Sequence, residues 1–564
     1  MSIITFLSIS TISIIPFIGK GVSVGEDIGG QVKSSIQWIN GQIVAPNFIS
    51  EPDKEDLAVN QTNWSLRPPG AAILPAIGML LGLSLGHSIQ ISLLLCKILG
   101  GFGWLHVFRE FKIDKYIILL ISIMLGLEAG ASISTFGTAN IILFAIVPWF
   151  VLFVVKFDWL SKRTTNSSRI YLVLAIFLFL LGCFAWIKLS GIIVAGTIGA
   201  CLFFNLLNQA KSGDKLKFIV IFFVLGFSFW FPFLLLEKTN HSLSGITADE
   251  LYGGNDSDIQ APLFGKHWGD STKAFWLLWS IASAPGYSLP IKDVAHGVRN
   301  LGMQFEDFVY WLNLHEINEH VFLCGLIGFV FTICIIIGLK NCWHALVSEQ
   351  RVILCAFLTL PFVGLAILSF RYEWNYLLYH IHTYEFWLIL CIPTFLLCSI
   401  NTKIKIVNIV TLGVILAIPT TNSFWKFFQN ISQENGEFIS ETEKMRGLSS
   451  SRFSEAIDYI ENDSKNNLDI IYFLPAGDMG DLVLRSKLRT MTTHFAGGNF
   501  PNHSPYSTSK ELYLYLSYDE KLAEIPEFLE ATANKFPNAE LKNEVLKGSI
   551  IVKKIKLLPA PSIS

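Results

Sequence analysis

The feature that most constrains this chain is its hydropathy pattern. Apolar runs of about 17–22 residues, the length a helix needs to cross a bilayer, recur along it and are broken by short basic loops. The runs lie near 2–18, 88–108, 116–134, 138–155, 170–187, 189–208, 217–236, 320–339, 352–370, 383–400 and 404–419. Hydrophobic residues make up 52% of the sequence and charged ones only 15%, which excludes an ordinary soluble core. A net charge of −2 leaves no electrostatic footprint for nucleic acid.

The loop charges set the topology. Arg109/Lys112/Lys115, Lys156/Lys162/Arg163/Arg169, Lys211/Lys215/Lys217, Lys340/Arg351 and Lys403/Lys405 fall on one side if the run 71–86 does not cross. By the positive-inside rule that side is cytoplasmic. The run 71–86 is short, Gly-rich and preceded by two prolines, and reads as interfacial or re-entrant. Ala274–Pro290 carries Pro285, Gly286 and Pro290, which break a crossing helix. It reads as a membrane-dipping part of a long loop. About eleven spans result, with a cytoplasmic N-terminus. The first run lacks a basic n-region and a small-residue cleavage site, so it reads as an uncleaved span.

The expected organisation is a transmembrane domain over 1–419, with outer loops at 19–87 and 237–319, and an extracytoplasmic α/β domain over 420–564. After Pro419 the composition turns polar. Ser451–Glu461 and Tyr518–Lys535 read as helices, and Leu468–Leu474, Ser549–Ile555 and Arg489–Ala496 as strands. The nine cysteines lie in or beside apolar runs. They read as small hydrophobes, with no disulfide framework expected.

The polar stretch Val24–Gly70 holds the first candidate chemistry. Glu26 and Asp27 sit where the first run ends, followed by Gly29-Gly30 and an amphipathic stretch, Gln31–Asn40. Charges gather at span ends simply to leave the lipid. A carboxylate near lipid is also a suitable general base for an acceptor hydroxyl or amine. Arg67-Pro68-Pro69-Gly70 closes the stretch. Prolines at a helix start fix its entry angle and hold Arg67 at headgroup level, where a guanidinium suits phosphate; an ordinary snorkelling arginine is the plain alternative.

Further candidates lie along the chain. Glu128 stands among small residues near the outer end of the third span, where an acid is costly and commonly faces a cavity. Arg371, His380 and His382 fall in a short outer loop between two spans. The His380/His382 spacing lacks a third metal ligand. Lys266-His267-Trp268, with Trp276 and Trp279 nearby, could form a sugar platform. No Walker loop, Rossmann fingerprint or zincin motif occurs. Asn60 and Asn63 open N-glycosylation sequons.

The acid pair after span one, a loop of some forty residues and then Arg-Pro-Pro-Gly before an apolar interfacial run resemble the first outer loop of polytopic GT-C glycosyltransferases. The lipid A aminoarabinose transferases and the protein O-mannosyltransferases are among these. The resemblance extends to the long loop after the seventh span and to an outer C-terminal domain. It implies a GT-C-like α-helical membrane fold with juxtamembrane helices in the first outer loop. It also implies transfer of a sugar from a polyprenyl-phosphate donor to a glycan, lipid or protein acceptor on the outer face, with inversion. Asp27 matches the catalytic acid by position and Arg67 the phosphate-contacting basic residue. Glu128 matches a second acid, and Arg371, His380 and His382 match late-loop phosphate contacts. The order Glu26-Asp27 departs from the usual Asp-Glu or Asp-Asp, so either is a candidate base. No cofactor is required by the sequence, which leaves room for a divalent cation.

Two other classes stand beside the enzyme. A flippase of lipid-linked saccharide predicts internal repeats and charges deep in several spans; only Glu128, Lys97, Lys188 and a few like them qualify. A membrane scaffold with an outer binding domain predicts that Asp27 is dispensable.

Overall fold

The computed structural model describes residues 2–40, 69–110, 115–137, 139–163 and 167–188, and short pieces between 191 and 351. In the C-terminal region it describes 447–449, 453–465, 469–474, 484–492, 512–520 and 540–557.

The first spans form an alternating bundle. Helix α1 (Ser2–Ile14) continues as a 3-10 turn, Ile15–Phe17. After the short strand β1 (Ser23–Val24) comes α2 (Glu26–Ile39). A 3-10 turn at Pro69–Ala72 then leads into α3 (Ile73–Leu80) and α4 (Leu85–Glu110). Next are α5 (Lys115–Ser134), β2 (Thr135–Phe136), α6 (Asn140–Arg163), α7 (Ser167–Gly182) and the short α8 (Phe184–Ile187). At 26 residues, α4 is about 39 Å long. Among the described residues it is the one helix that by itself combines crossing length with sufficient hydropathy. The eight residues of α3 span about 12 Å, too short to cross, which matches the interfacial or re-entrant reading of 71–86.

Side-chain stripes show what surrounds the bundle. Ile91, Leu95 and Leu99 on α4, and Leu172, Ile176 and Phe179 on α7, are large, apolar and exposed. Stripes of this kind at helical spacing suit lipid and not water. At one end, Arg109 donates to Ser2 Oγ at 3.2 Å and Lys156 pairs with Glu110 at 3.2 Å. At the other end, Gln90 donates to the Lys20 carbonyl at 2.8 Å. Thus α4 runs antiparallel to α1, and Arg109 and Lys156 lie at the end away from α2. The fold is polytopic and membrane-embedded.

The tightest helix pair is α1 against α5. Gly126 and Gly130 face α1, and a Cβ on Gly130 would collide with the Ser13 carbonyl. Spacing of this kind lets two helix backbones approach closely. Ser13 Oγ donates to the Gly126 carbonyl at 2.8 Å and accepts from the Gly130 amide at 3.1 Å. Pairs of this sort matter where no water competes.

The C-terminal region contains a five-stranded mixed sheet of order β4-β3-β5-β7-β6. Its strands are β3 (Ile470–Leu474), β4 (Arg489–Thr492), β5 (Leu512–Asp519), β6 (Glu540–Lys547) and β7 (Ile550–Leu557). Strands β3, β4 and β5 run parallel, while β7 is antiparallel to both β5 and β6. Helix α9 (Ser454–Asp463) lays Phe453, Ala456, Ile457 and Ile460 on Ile471, Leu488, Tyr515 and Val552. The expected strands at 468–474, 489–496 and 549–555 and the helix at 451–461 are present within a few residues. Tyr518 corrects one expectation. It opens the expected helix Tyr518–Lys535, but in the structure it pairs with Ile551 near the end of β5. Leu512-Tyr-Leu-Tyr-Leu-Ser-Tyr518 is aromatic and buried on both faces, so it has the character of a central strand. Asp519 also belongs to β5; residues 521–535 of that expected helix lie outside the described residues, as do most of the spans beyond residue 188 and Ala274–Pro290.

Candidate functional site

The site is built on a two-residue parallel ladder. Ser23 pairs with Thr135 and Val24 with Phe136, joining the chain leaving α1 to the end of α5. The ladder ends where two glycines meet. The Gly25 amide donates to the Phe136 carbonyl at 2.8 Å. A Cβ on Gly25 would lie 3.0 Å from Gly137 Cα, so this crossing is tight enough to favour a residue without a side chain. The Gly25 carbonyl then accepts from the amides of Ile28 and Gly29, both at 3.2 Å, and so caps the first turn of α2.

Glu26 and Asp27 are therefore the first two residues of a helix whose start is pinned to the end of α5. The positive end of a helix dipole favours acidic residues at these positions. Glu128 lies six residues before Ser134, about 9 Å below the ladder along α5. Its position is on the side of α5 opposite Gly126 and Gly130, away from α1. The structure thus brings positions 26, 27 and 128 to one end of the bundle, with the first two on α2 and the third on a different helix face.

The 3-10 turn Pro69–Ala72, just after Arg67-Pro68, packs on α2 and on α8. A Cβ on Gly70 would collide with the Trp186 carbonyl. The chain at Pro69–Ala72 therefore returns to α2. Arg67 itself lies outside the described residues, and so do Arg371, His380, His382, Lys266, His267 and Trp268.

A cation that the sequence marks only as a charge within a span, and not as a site residue, stands at the same end. Lys188, half-buried just after α8, donates to Asn140 Oδ1 at 2.8 Å. Asn140 is buried at the start of α6, three residues beyond Gly137. The partner is an amide, so this hydrogen bond orients the ammonium without neutralising it. An ionisable residue at the end of an apolar run is a functional candidate by default, and that rule singles out Lys188.

Lys97 is buried in α4 and lies 4.9 Å from the Phe144 ring centroid. Cys96 and Cys183 are free thiols. Among the described residues, no three His, Cys, Asp or Glu side chains cluster as metal ligands.

No protein-family model and no curated protein matches the chain. Among solved structures, the fold is similar to the crystal structure of ArnT from Cupriavidus metallidurans bound to undecaprenyl phosphate. That likeness covers 98% of this chain and 97% of that one, at a TM-score of 0.45 and 10% identity. It is also similar to the same protein in the apo state, with the same coverage, a TM-score of 0.41 and 11% identity. Nothing about the reaction follows from likenesses at this level.

Proposed function

We propose that this chain is a membrane glycosyltransferase moving a sugar from a polyprenyl-phosphate-linked donor to an acceptor on the extracytoplasmic face. The observation that carries the reading is the Gly25–Phe136 contact, which pins an acid pair to the lipid-level end of α5. Asp27 or Glu26 takes the proton of the acceptor hydroxyl or amine. The acceptor atom bonds to the sugar's anomeric carbon, and the bond from that carbon to the phosphate oxygen breaks. Polyprenyl phosphate leaves with the electron pair. Arg67, Arg371, His380 and His382 balance its charge, together with Lys188. Glu128 holds the acceptor or the base, and Lys266, His267 and Trp268 bind the sugar. The first-loop resemblance to GT-C enzymes supports this assignment. So does a sheet-bearing unit on the same side as the acid pair, which suits an outer C-terminal domain beside a bundle of about eleven spans.

A transporter of lipid-linked saccharide is the second reading, favoured by the buried Lys97 in α4. Asp27→Asn, assayed in lipid nanodiscs with lipid-phosphate-linked sugars, separates the two. Transfer should fall by about 100-fold or more, the usual scale for a lost general base. Undiminished transfer by a folded Asp27→Asn and Glu26→Gln double variant would remove the acid pair from the mechanism. Translocation without transfer by the unmodified protein would favour the transporter.

A further inference from the structure

We infer that Lys33 is a positioning residue: it closes a ring of hydrogen bonds that holds the start of α2 against the C-terminal unit. The inference rests on the transferase reading for its catalytic consequence, but the ring itself is a matter of geometry.

Lys33 is only 6% exposed, and a buried ammonium must place its protons on acceptors. Its Nζ donates to the Ser486 carbonyl at 2.6 Å and to the Leu484 carbonyl at 3.4 Å. Both acceptors are neutral and come from some 450 residues further along the chain. The segment that supplies them is itself fixed. Ser486 Oγ accepts from the Leu488 amide at 3.0 Å and donates to the Leu488 carbonyl at 3.1 Å. Leu488 belongs to the core under α9, and β4 starts at the next residue.

Arg485, between the two acceptors, is buried and donates to the Ser449 carbonyl. The Ser449 amide donates to the Val22 carbonyl at 3.0 Å, and the Val22 amide donates to the Gly447 carbonyl at 3.1 Å. The ring therefore runs Val22, Ser449, Arg485, Ser486, Lys33 and back along α2 to Val22. Glu26 and Asp27 lie between its two points of attachment on the first loop. At 3.6 residues per turn, positions 26, 29, 30 and 33 share one helical stripe, and the two in the middle are glycines. Few side chains on that stripe stiffen the turn, so the tie at Lys33 bears on where the acids sit. On the other face of α2, Ser35 is buried against Met79 of α3. The helix is thus gripped between the juxtamembrane turn and the C-terminal unit.

The test compares Lys33→Met, which keeps length and removes every donor, with Lys33→Arg, in the full chain in nanodiscs. With Lys33→Met, backbone amides of Ile28–Ser35 should exchange hydrogen about tenfold faster, the scale of one lost charge-assisted hydrogen bond. The kcat of transfer should fall about 10–100-fold, as expected for a misplaced catalytic group, with the donor KM within about twofold of the unmodified protein's. Lys33→Arg should restore both. Unchanged exchange with unchanged kcat overturns the inference. A general loss of thermal stability, with KM rising as kcat falls and no rescue by arginine, also overturns it, because that is the pattern of a merely structural residue. If the unmodified protein transfers no sugar yet Lys33→Met still loosens α2, the transferase reading fails and the tie stands. Should Lys33→Met not accumulate, Arg485→Gln opens the same ring from the other side and is expected to give the same pattern.

Discussion

The Gly25 amide donates to the Phe136 carbonyl at 2.8 Å, one residue after the β1–β2 ladder and one residue before the acidic helix. The first turn of α2 is therefore fixed to α5 and not merely near it. Gly25→Val would drive a branched side chain into Gly137, whose Cα lies 3.0 Å from a Cβ at this point. The ladder must then open. Transfer should fall about 100-fold, the cost of roughly 1 Å of misplacement. Gly25→Ala should cost far less, because the neighbour has only to yield by tenths of an ångström. Steady-state transfer kinetics on both variants check the ordering; equal losses would mean that glycine serves some other purpose here.

Lys188 and Asn140 make a different kind of prediction. If the ammonium meets the donor phosphate, Lys188→Met weakens donor binding more than it slows chemistry. The donor KM should rise about tenfold, the scale of one charge-assisted contact, with kcat within a few-fold. Asn140→Ala should give a smaller rise in the same parameter, since it removes the bond that orients the ammonium and keeps the charge. A fall in kcat at unchanged KM would assign Lys188 to the transition state instead.

Much of the architecture is legible in the charge pattern. The bridge between Val22 and Leu448 puts the first loop and the start of the C-terminal region at one end of the helices. The loop charges place both segments on that same side. The acid pair was visible because Glu26 and Asp27 follow an apolar run directly. The ladder that pins them was not, because two residues carry no strand periodicity. Lys33 lies inside the amphipathic stretch Gln31–Asn40, where nothing in the sequence singles it out, and only the fold reveals that the Leu484 and Ser486 carbonyls accept from it. Strand β5 was misread at Tyr518 because a strand buried on both faces lacks the alternation that marks a half-exposed one.

The α1–α5 pair should be sensitive to volume. Ser13→Ala removes one hydroxyl that donates to Gly126 and accepts from Gly130, a loss of about 1 kcal/mol by analogy with other interhelical hydrogen bonds in membranes. Gly130→Leu must push the Ser13 carbonyl away, which by overpacking costs about 3 kcal/mol. Thermal unfolding of both variants in one detergent tests this. A Gly130→Leu protein as stable as Ser13→Ala would show that the helices separate easily.

The last prediction concerns acid. In the C-terminal sheet, Asp463 accepts from Lys554 at 2.7 Å and from the Tyr515 hydroxyl at 2.9 Å. Burial pushes its carboxyl upward, but the bonds from Lys554 and Tyr515 outweigh that and hold it below the usual aspartate range. Asp469, which is fully buried, goes the other way. Burial raises its carboxyl despite bonds from Ser464 and the Tyr513 amide. The signs then oppose. A lowered folded pKa means the Asp463 contribution is complete above the unfolded value near 4 and is lost as the pH falls through the folded value. A raised folded pKa means that Asp469 favours the fold below that unfolded value and loses this effect as the pH rises through its own. Asp463→Asn keeps an acceptor for Tyr515 and removes only the charge. It should lower stability at neutral pH by about 1 kcal/mol, given that the Asp463 side chain is a third exposed. The deficit should shrink below about pH 4, and the variant's remaining acid response should carry the sign set by Asp469. Hydrogen exchange in β5 and β7 between pH 3 and 7, corrected for intrinsic rates, reads this out. A deficit that is constant with pH would mean that Asp463 acts through its hydrogen bonds and not through its charge.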